Sequence, residues 1–186
     1  TASDLTFDIS VTDVEMIRAA IKITPSDTKE TYCWMCGVWD GEQTAEDIMN
    51  GIVAMYGGWM NNGAMLYSGV QDYTGGPGSP YKYKLDSPDT DYYVIAFGYA
   101  GGVTTEPEMV TFRTLPAPDP ETTTFTMSAS DITPYSFKIS VVPSHSTTYY
   151  SFNVCAPDAF NEETIIAEEN EAFDYMLEQS KMFNPD

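Results

Sequence analysis

The chain has 186 residues, of which 42% are apolar and 13% aromatic, so it can form a substantial buried core. Its 8 Lys and Arg residues stand against 28 Asp and Glu residues, which gives a formal net charge of −20. A charge of this sign and size repels phosphate backbones and anionic lipids, which argues against nucleic acid or a membrane surface as the partner. No stretch approaches the roughly 20 apolar residues that a membrane-spanning helix needs.

The first third of the chain alternates between apolar and polar residues, which is typical of strands that are buried on one face. One predicted strand has an inward row of Ile17, Ala19, Ile21 and Ile23. The next has an inward row of Tyr32, Trp34, Cys36 and Val38. Further strands are predicted at about 65–73, 81–85, 91–99 and 109–114, each with the same alternation.

A helix is predicted between these strands, at about residues 44–62. Thr44 and Asp47 have the spacing of a capping box at its start. Its apolar stripe, at helical spacing, consists of Ile48, Ile52, Met55 and Trp59. Gly57 and Gly58 are expected to end or loosen the helix, because glycine is a poor helix former.

The chain also contains an internal repeat. Two segments align without a gap at an offset of 118 residues, as from Phe7 to Phe125. Further matched pairs are Ser10 with Ser128, Asp13 with Asp131, Ile21 with Ile139, Pro25 with Pro143, Tyr32 with Tyr150 and Trp34 with Phe152. Between the copies, the run that starts at Leu115 contains prolines at 116, 118 and 120, so we expect an extended, stiff linker.

These patterns predict a mainly β protein built from tandem β-sandwiches, each with an inserted helix. We expect a first sandwich over residues 1–115, a proline-rich linker at 116–121, and the first part of a second copy over 122–186. The second copy would comprise three strands and a helix at about 162–181. On this alignment the second copy lacks counterparts of the last three strands of the first. Three explanations are open: the natural chain continues past residue 186, the remainder has been lost by cleavage, or another chain supplies the strands.

One segment resembles the sixth-strand signature of fibronectin type III modules, in which a Leu, a Thr and a Tyr precede an alternating apolar strand. Leu85, Thr90 and Tyr92 occupy these three places. The resemblance implies an Ig-like or fibronectin type III-like sandwich. In such a fold the Tyr92 hydroxyl would bond to nearby backbone as a tyrosine corner, and Trp34 would be the core tryptophan.

The wider order of motifs is similar to tandem modules of surface lipoproteins from Bacteroides-type bacteria. It runs from Phe-x-Ile through Ile-Thr-Pro-Ser-Asp and a helix to Ala-Phe-Gly-Tyr. This resemblance covers the first copy and as much of the second as is present. It implies an exported protein that is secreted or attached to the outer membrane through an upstream lipidated cysteine. It implies no activity, because sandwich folds support many functions.

Residue types that often carry catalysis do not form a convincing site. Cys33 and Cys36 have redox-motif spacing, but a strand points them to opposite faces and offers no helix N-terminus to lower a thiol pKa. His145 is the only histidine and lies at a predicted turn. We therefore predict no enzyme activity, no cofactor and no metal site.

Two acidic clusters have an alternative interpretation as calcium ligands. One consists of Asp86, Asp89 and Asp91, and the other of Asp40 and Glu42. Neither has the pattern of an EF-hand loop, and solvated turn carboxylates are the simpler interpretation.

Surface aromatic residues are the remaining candidates for a ligand site. Trp39, Trp59, Tyr73 and Tyr81 lie in or near a region rich in Gly, Asn and aromatic residues, which suits sugar stacking or protein contact. The alternative is that these rings pack the inserted helix onto the sheet.

The sequence therefore predicts a non-catalytic binding or spacer module, on the cell surface or secreted, that recognises a glycan or a protein. One alternative is a structural assembly protein whose incomplete second copy accepts strands from another chain, with self-association as a consequence. The other is an accessory module of a surface enzyme.

Overall fold

The structure is a computed structural model that describes residues 2–77, 81–145, 148 and 150–183, with side chains up to residue 172 and at Tyr175. The protein is mainly β, and its strands pair in antiparallel fashion. Two compact units divide the chain, Thr1–Thr148 and Tyr149–Asp186. None of the helices in the described part is both long and apolar enough to cross a membrane.

The elements follow one another in a simple order. They are β1 (Phe7–Thr12), β2 (Arg18–Pro25), β3 (Tyr32–Val38), α1 (Ala45–Met60), β4 (Gln71–Tyr73), β5 (Tyr83–Lys84), β6 (Asp91–Gly98), β7 (Glu108–Arg113), β8 (Phe125–Ser130), β9 (Lys138–Pro143), a short 3-10 helix (Pro157–Ala159) and α2 (Glu162–Phe183).

Two sheets form most of the first unit. One has the order β1-β2-β4, with β5 also paired to β2, and the other has the order β3-β6-β7. The register places Ile9 opposite Ile23 in the first sheet and Trp34 opposite Ala96 in the second. Because side chains alternate across a strand, each sheet presents one apolar row to the other.

The core between the sheets contains apolar side chains from both. Ile21 and Ile23 on β2 are fully buried with Val94 and Ala96 on β6. Trp34, which is 6% exposed, packs in the same cluster. Burial of each large apolar side chain contributes about 1.5–3 kcal/mol, so this cluster is the main source of stability for the unit. The arrangement is consistent with a β-sandwich.

A second core lies on the other face of the β3-β6-β7 sheet. Cys33, Ile95 and Phe97 are fully buried there beneath α1, which contributes Ile48 and Ile52. Strand β6 is therefore covered on both faces, and its residues Val94–Phe97 are all completely buried. The helix thus forms a third layer above the sheet.

The inserted helix begins with the predicted capping box. The Thr44 side chain accepts a hydrogen bond from the Asp47 amide at 3.2 Å, and the Asp47 carboxylate accepts one from the Thr44 amide at 3.0 Å. Gly57 and Gly58, which we expect to end or loosen the helix, do not end it, since α1 continues to Met60. Packing on the sheet outweighs the low helix propensity of glycine, as tertiary contacts often do.

The hydroxyl of Tyr92 bonds to the backbone just upstream. It accepts hydrogen bonds from the amides of Asp86 and Ser87 at 3.2 and 2.9 Å. The turn from Leu85 into β6 is thereby fixed by a side chain of β6 itself.

The repeat reappears in the hairpin formed by β8 and β9. Phe125 pairs with Pro143 just as Phe7 pairs with Pro25. Hydrogen bonds at the strand ends recur as well. In the first copy the Ser26 amide donates to the Thr6 carbonyl and the Thr6 amide donates to the Ser26 hydroxyl, and Ser144 and Thr124 form the same two bonds in the second. The loops share a feature too, because Asp13 and Asp131 both have a positive φ, of 45° and 49°.

The second unit differs from the prediction of a third strand in the second copy. Residues 150–155 form no strand, although their counterpart in the first copy is β3. There, β3 is held by hydrogen bonds to β6. Within the described residues, segment 150–155 has no neighbouring strand of this kind. Helix α2 follows, and its Glu169 accepts hydrogen bonds from Ser151 and Asn153 at 3.0 and 3.3 Å.

Candidate functional site

An open groove of about 280 Å³ lies between α1 and the sheet formed by β3 and β6. We call it the helix groove. Its sheet wall comes from Met35, Val38 and Tyr93, and its helix wall includes Gly51, Met55 and Tyr56. The volume is close to the lower end of the range for sites that bind small ligands or single side chains.

The sheet wall follows from the alternation of side chains along β3. Tyr32 and Trp34 point into the core between the sheets, whereas Cys33 and Met35 point toward α1. On β6, Tyr93 lies opposite Gly37 in the register and packs against the helix-side core. The groove is therefore a gap in the packing between two regular elements, which hold its walls in place.

The helix wall ends in an aromatic pair of which one ring, that of Trp59, is exposed. Tyr56 lines the groove, and its ring lies 6.0 Å from the ring of Trp59 at 46°. Trp59 is 65% exposed and Met55 is 73% exposed. Met55 and Trp59 therefore share the helical spacing of Ile48 and Ile52 but not their burial. The buried face of α1 consists instead of Ile48, Met49, Ile52 and Met60.

The electrostatic setting of the groove is acidic. Asp47 lies at its mouth, and hydrogen bonds from Thr44 hold the pKa of the Asp47 carboxyl below its usual value. Residues 30–81, which contain β3, the turn and α1, include no Lys or Arg. Burial raises the pKa of Tyr93, so its hydroxyl stays protonated and can donate a hydrogen bond at neutral pH.

The four aromatic candidates lie at separate places. Trp39 donates a hydrogen bond from Nε1 to the Gln43 carbonyl at 3.1 Å, which fixes the turn before α1. Tyr73 packs its ring 5.3 Å from that of Trp34, at the side of the inter-sheet core. Tyr81 is 77% exposed and has no ring contact among the described residues, while Trp59 pairs with Tyr56. Two of the four adjoin the helix groove: Trp59 through Tyr56, and Trp39 through its bond to Gln43, which lines the groove.

The two neighbouring thiols occupy different cores. Cys33 is buried beneath α1, and Cys36 is half-buried on the inter-sheet side. Burial raises the pKa of Cys33 to about 11 and that of Cys36 to about 12. Both thiols are therefore protonated at neutral pH and poor nucleophiles. Cys155 is an exposed free thiol.

The acidic turns have partners within the protein. Arg113 forms ion pairs with Asp89 and Asp91 at 3.0 and 2.6 Å. Asp40 accepts hydrogen bonds from the amides of Glu42 and Gln43, both at 2.9 Å. Across the described residues, no group of three or more His, Cys, Asp or Glu side chains is placed to hold a metal ion.

Sequence reasoning missed most of the groove residues. The candidates did not include Met35, Gly51, Tyr56 or Tyr93, because each belongs to a regular strand or helix pattern that is typical of core residues. One usable signal is that α1 carries more apolar residues than one face can bury.

Comparisons of this chain with models of known protein families, with curated proteins and with solved structures each found no match.

Proposed function

We propose that this chain is a non-catalytic binding module whose recognition surface is the helix groove together with the Tyr56–Trp59 pair. The observation that carries the proposal is the joining of an open, partly apolar groove, lined by the half-buried Tyr56, to the exposed ring of Trp59 on the same helix. Large rigid aromatic side chains give contact area at low entropic cost, which is why they dominate binding surfaces. The ligand classes are those that the sequence predicts, a glycan or a protein segment.

A non-catalytic role agrees with the chemistry of the groove walls. Apart from Asp47, Tyr56 and Tyr93, the lining residues in the described structure carry no charged or nucleophilic group of the kind that catalysis uses. Asp47 itself is engaged by Thr44 in the capping box. Its carboxylate stabilises the helix rather than facing a substrate as a general base.

We also propose that the two sheets form a fibronectin type III-like sandwich and that the protein is exported. The bonds from Tyr92 to the upstream turn and the burial of Trp34 support the fold. Export rests on the resemblance to surface lipoproteins. Expression of the complete reading frame followed by membrane fractionation would test it, and recovery of the protein from the cytoplasm alone would contradict it.

The binding function can be tested with two matched variants of α1. Gly51 lines the groove, and nothing lies within 4 Å of where its Cβ would be, so the Cβ of Gly51→Phe meets open space and its ring is placed at the groove. Asn50 is exposed on α1, points to a different face of the helix and does not line the groove, so Asn50→Phe is the control.

The wild type and both variants would be screened on glycan and peptide arrays. We expect a ligand that binds the wild type and Asn50→Phe but loses at least about tenfold in affinity for Gly51→Phe. If no array component binds, or if the ligands found are indifferent to Gly51→Phe, the helix groove is not a recognition surface.

A second candidate function, self-association through the second copy, has an observation in its favour. Ile139 on β9 is 40% exposed, whereas its counterpart Ile21 is completely buried. Met127 on β8 is 69% exposed. Light scattering over a range of concentrations would show reversible dimers that Ile139→Asp abolishes; a monomer at all concentrations would contradict this function.

A further inference from the structure

Among the strands that the structure describes, β3 lies at the edge of its sheet and pairs with β6 alone. The amide of Trp39 bonds to the Asp91 carbonyl at 2.8 Å, and the Thr31 carbonyl accepts from Tyr99 at 3.1 Å. In an antiparallel pair, hydrogen-bonding groups alternate between the two edges of a strand. Odd-numbered residues of β3 therefore bond to β6, and even-numbered residues point their backbone groups away from it.

The outer edge of β3 has a partner at one residue only. Tyr32 and Tyr67 exchange two backbone hydrogen bonds, of 2.9 and 2.8 Å. Further along β3, Trp34 and Cys36 make no backbone hydrogen bond on this edge within the described residues. In the described part of the chain, the Trp34 carbonyl accepts a hydrogen bond from the Cys33 thiol alone, at 4.0 Å. Unpaired edge groups of this kind are a template for an added strand.

The helix groove adjoins this edge. Met35 lies between Trp34 and Cys36 and lines the groove. Side chains of a strand added to β3 would alternate between the two faces of the sheet, so every second one would lie on the same face as Met35. On that face the open space at Gly51 can accommodate an apolar side chain.

The charges around the edge select the kind of strand that would bind. Asp40, Glu42, Glu46 and Asp47 are all exposed, on the turn after β3 and in the first turn of α1. Residues 30–81 contain no Lys or Arg, so no cation within this stretch of the chain offsets these charges. A basic partner would gain both attraction and a faster association.

We propose that the β3 edge and the helix groove together bind an extended, basic polypeptide segment as an added β-strand, with alternate apolar side chains in the groove. Backbone bonds to Trp34 and Cys36 would provide affinity, and the groove would provide specificity, as in other strand-addition sites. This inference rests on the proposed binding function and narrows its ligand to one class.

The probe is a synthetic peptide of about seven alternating lysine and valine residues, a typical strand length. One control peptide has glutamate in place of lysine. A second is N-methylated at alternate residues, which removes the hydrogen bonds of a strand edge but keeps the side chains. Binding would be measured by calorimetry at low salt, and backbone protection by residue-resolved hydrogen exchange.

We expect the basic peptide to bind, to protect the amides of Trp34 and Cys36, and to lose at least about tenfold in affinity for Gly51→Phe but not for Asn50→Phe. Both control peptides should bind at least about tenfold more weakly. Equal binding of the N-methylated peptide, or protection elsewhere, would overturn the inference. Protection of the Trp34 and Cys36 amides when the protein concentration is raised without any peptide would overturn it too, because a second copy would then be the partner.

The two proposals fail in different ways. A glycan that binds in a Gly51-dependent manner, with no binding of the basic peptide, would leave the binding function standing and overturn the strand-addition inference. If every ligand binds Gly51→Phe as tightly as the wild type, both proposals are overturned.

Discussion

The ring of Tyr93 lies directly over Gly37 on the neighbouring strand. A Cβ at Gly37 would be 2.7 Å from the Tyr93 hydroxyl oxygen and 2.9 Å from the adjacent ring carbon. Real Cβ atoms do not approach other atoms this closely, so the ring occupies the space that a side chain at position 37 would take. The absence of a side chain at Gly37 thus helps to set the position of Tyr93, which forms part of the groove wall.

Substitution of Gly37 should therefore act through Tyr93. We expect Gly37→Ala to lower the free energy of unfolding by about 1–3 kcal/mol, the usual cost of overpacking. In a Tyr93→Ala background the same substitution should cost little, because the ring that it displaces is gone. Urea unfolding of the wild type, the two single variants and the double variant measures the coupling between positions 37 and 93. An equal cost of Gly37→Ala in both backgrounds would show that the contact does not constrain the ring.

The hydroxyl of Tyr92 should stabilise the turn into β6. Tyr92→Phe removes the acceptor for the amides of Asp86 and Ser87, and we expect a loss of about 1–3 kcal/mol for partly buried donors left unsatisfied. Tyr81→Phe is the matched control, since its ring is 77% exposed and should change stability by less than about 0.5 kcal/mol. Thermal unfolding of both variants tests this prediction, which fails if they are equally stable.

Asp47 should make the stability of α1 depend on pH. Hydrogen bonds from Thr44 lower the pKa of Asp47 in the folded protein below its ordinary value of 3.8. Its contribution is therefore fully present above pH 3.8 and is lost as the pH falls through the lower, folded-state pKa.

The measurement compares the free energy of unfolding of wild type and Asp47→Asn from neutral pH down to strongly acidic pH. We expect the difference between the two to shrink as the pH falls below 3.8. In a Thr44→Ala background this pH dependence should largely disappear. A constant difference across the whole range would mean that the capping hydrogen bonds do not stabilise the ionised carboxylate.

The three thiols should differ sharply in reactivity. We expect a thiol reagent at about pH 8 to modify Cys155 rapidly, because it is exposed, whereas burial and raised pKa values protect Cys33 and Cys36. Native protein should show one fast equivalent, and Cys155→Ser should show none. Denaturant should expose all the thiols. Fast reaction of Cys33 or Cys36 in native protein would contradict their placement in the cores.

Local patterns in the sequence predict the parts of the fold that depend on near neighbours. The alternation through Ile21 and Ile23 identifies the buried face of β2, and the spacing of Thr44 and Asp47 identifies the start of α1. The resemblance around Leu85 implies the bond that Tyr92 makes to the backbone. In each case the residues that decide the outcome lie within a few positions of one another.

The remaining features depend on which surface each element meets. A stripe with helical spacing cannot reveal that β3 and β6 cover one part of α1 and leave Met55 and Trp59 exposed. Alternation at residues 150–155 likewise cannot reveal that this segment, within the described residues, has no neighbouring strand like the one that holds β3 in the first copy. The helix groove exists because α1 and the sheet do not close against each other at Gly51, and only the tertiary arrangement shows this gap.

The most direct test of the central claim is to map where a ligand binds, by backbone NMR chemical shifts with the strongest binder found on the arrays. The groove account predicts that the largest shifts occur at Met35, Gly51, Met55 and Tyr93, with little change at Tyr73, Tyr81 or the hairpin of β8 and β9. Shifts centred on Tyr73 and Tyr81, or on that hairpin, would contradict the account and place recognition elsewhere on the protein.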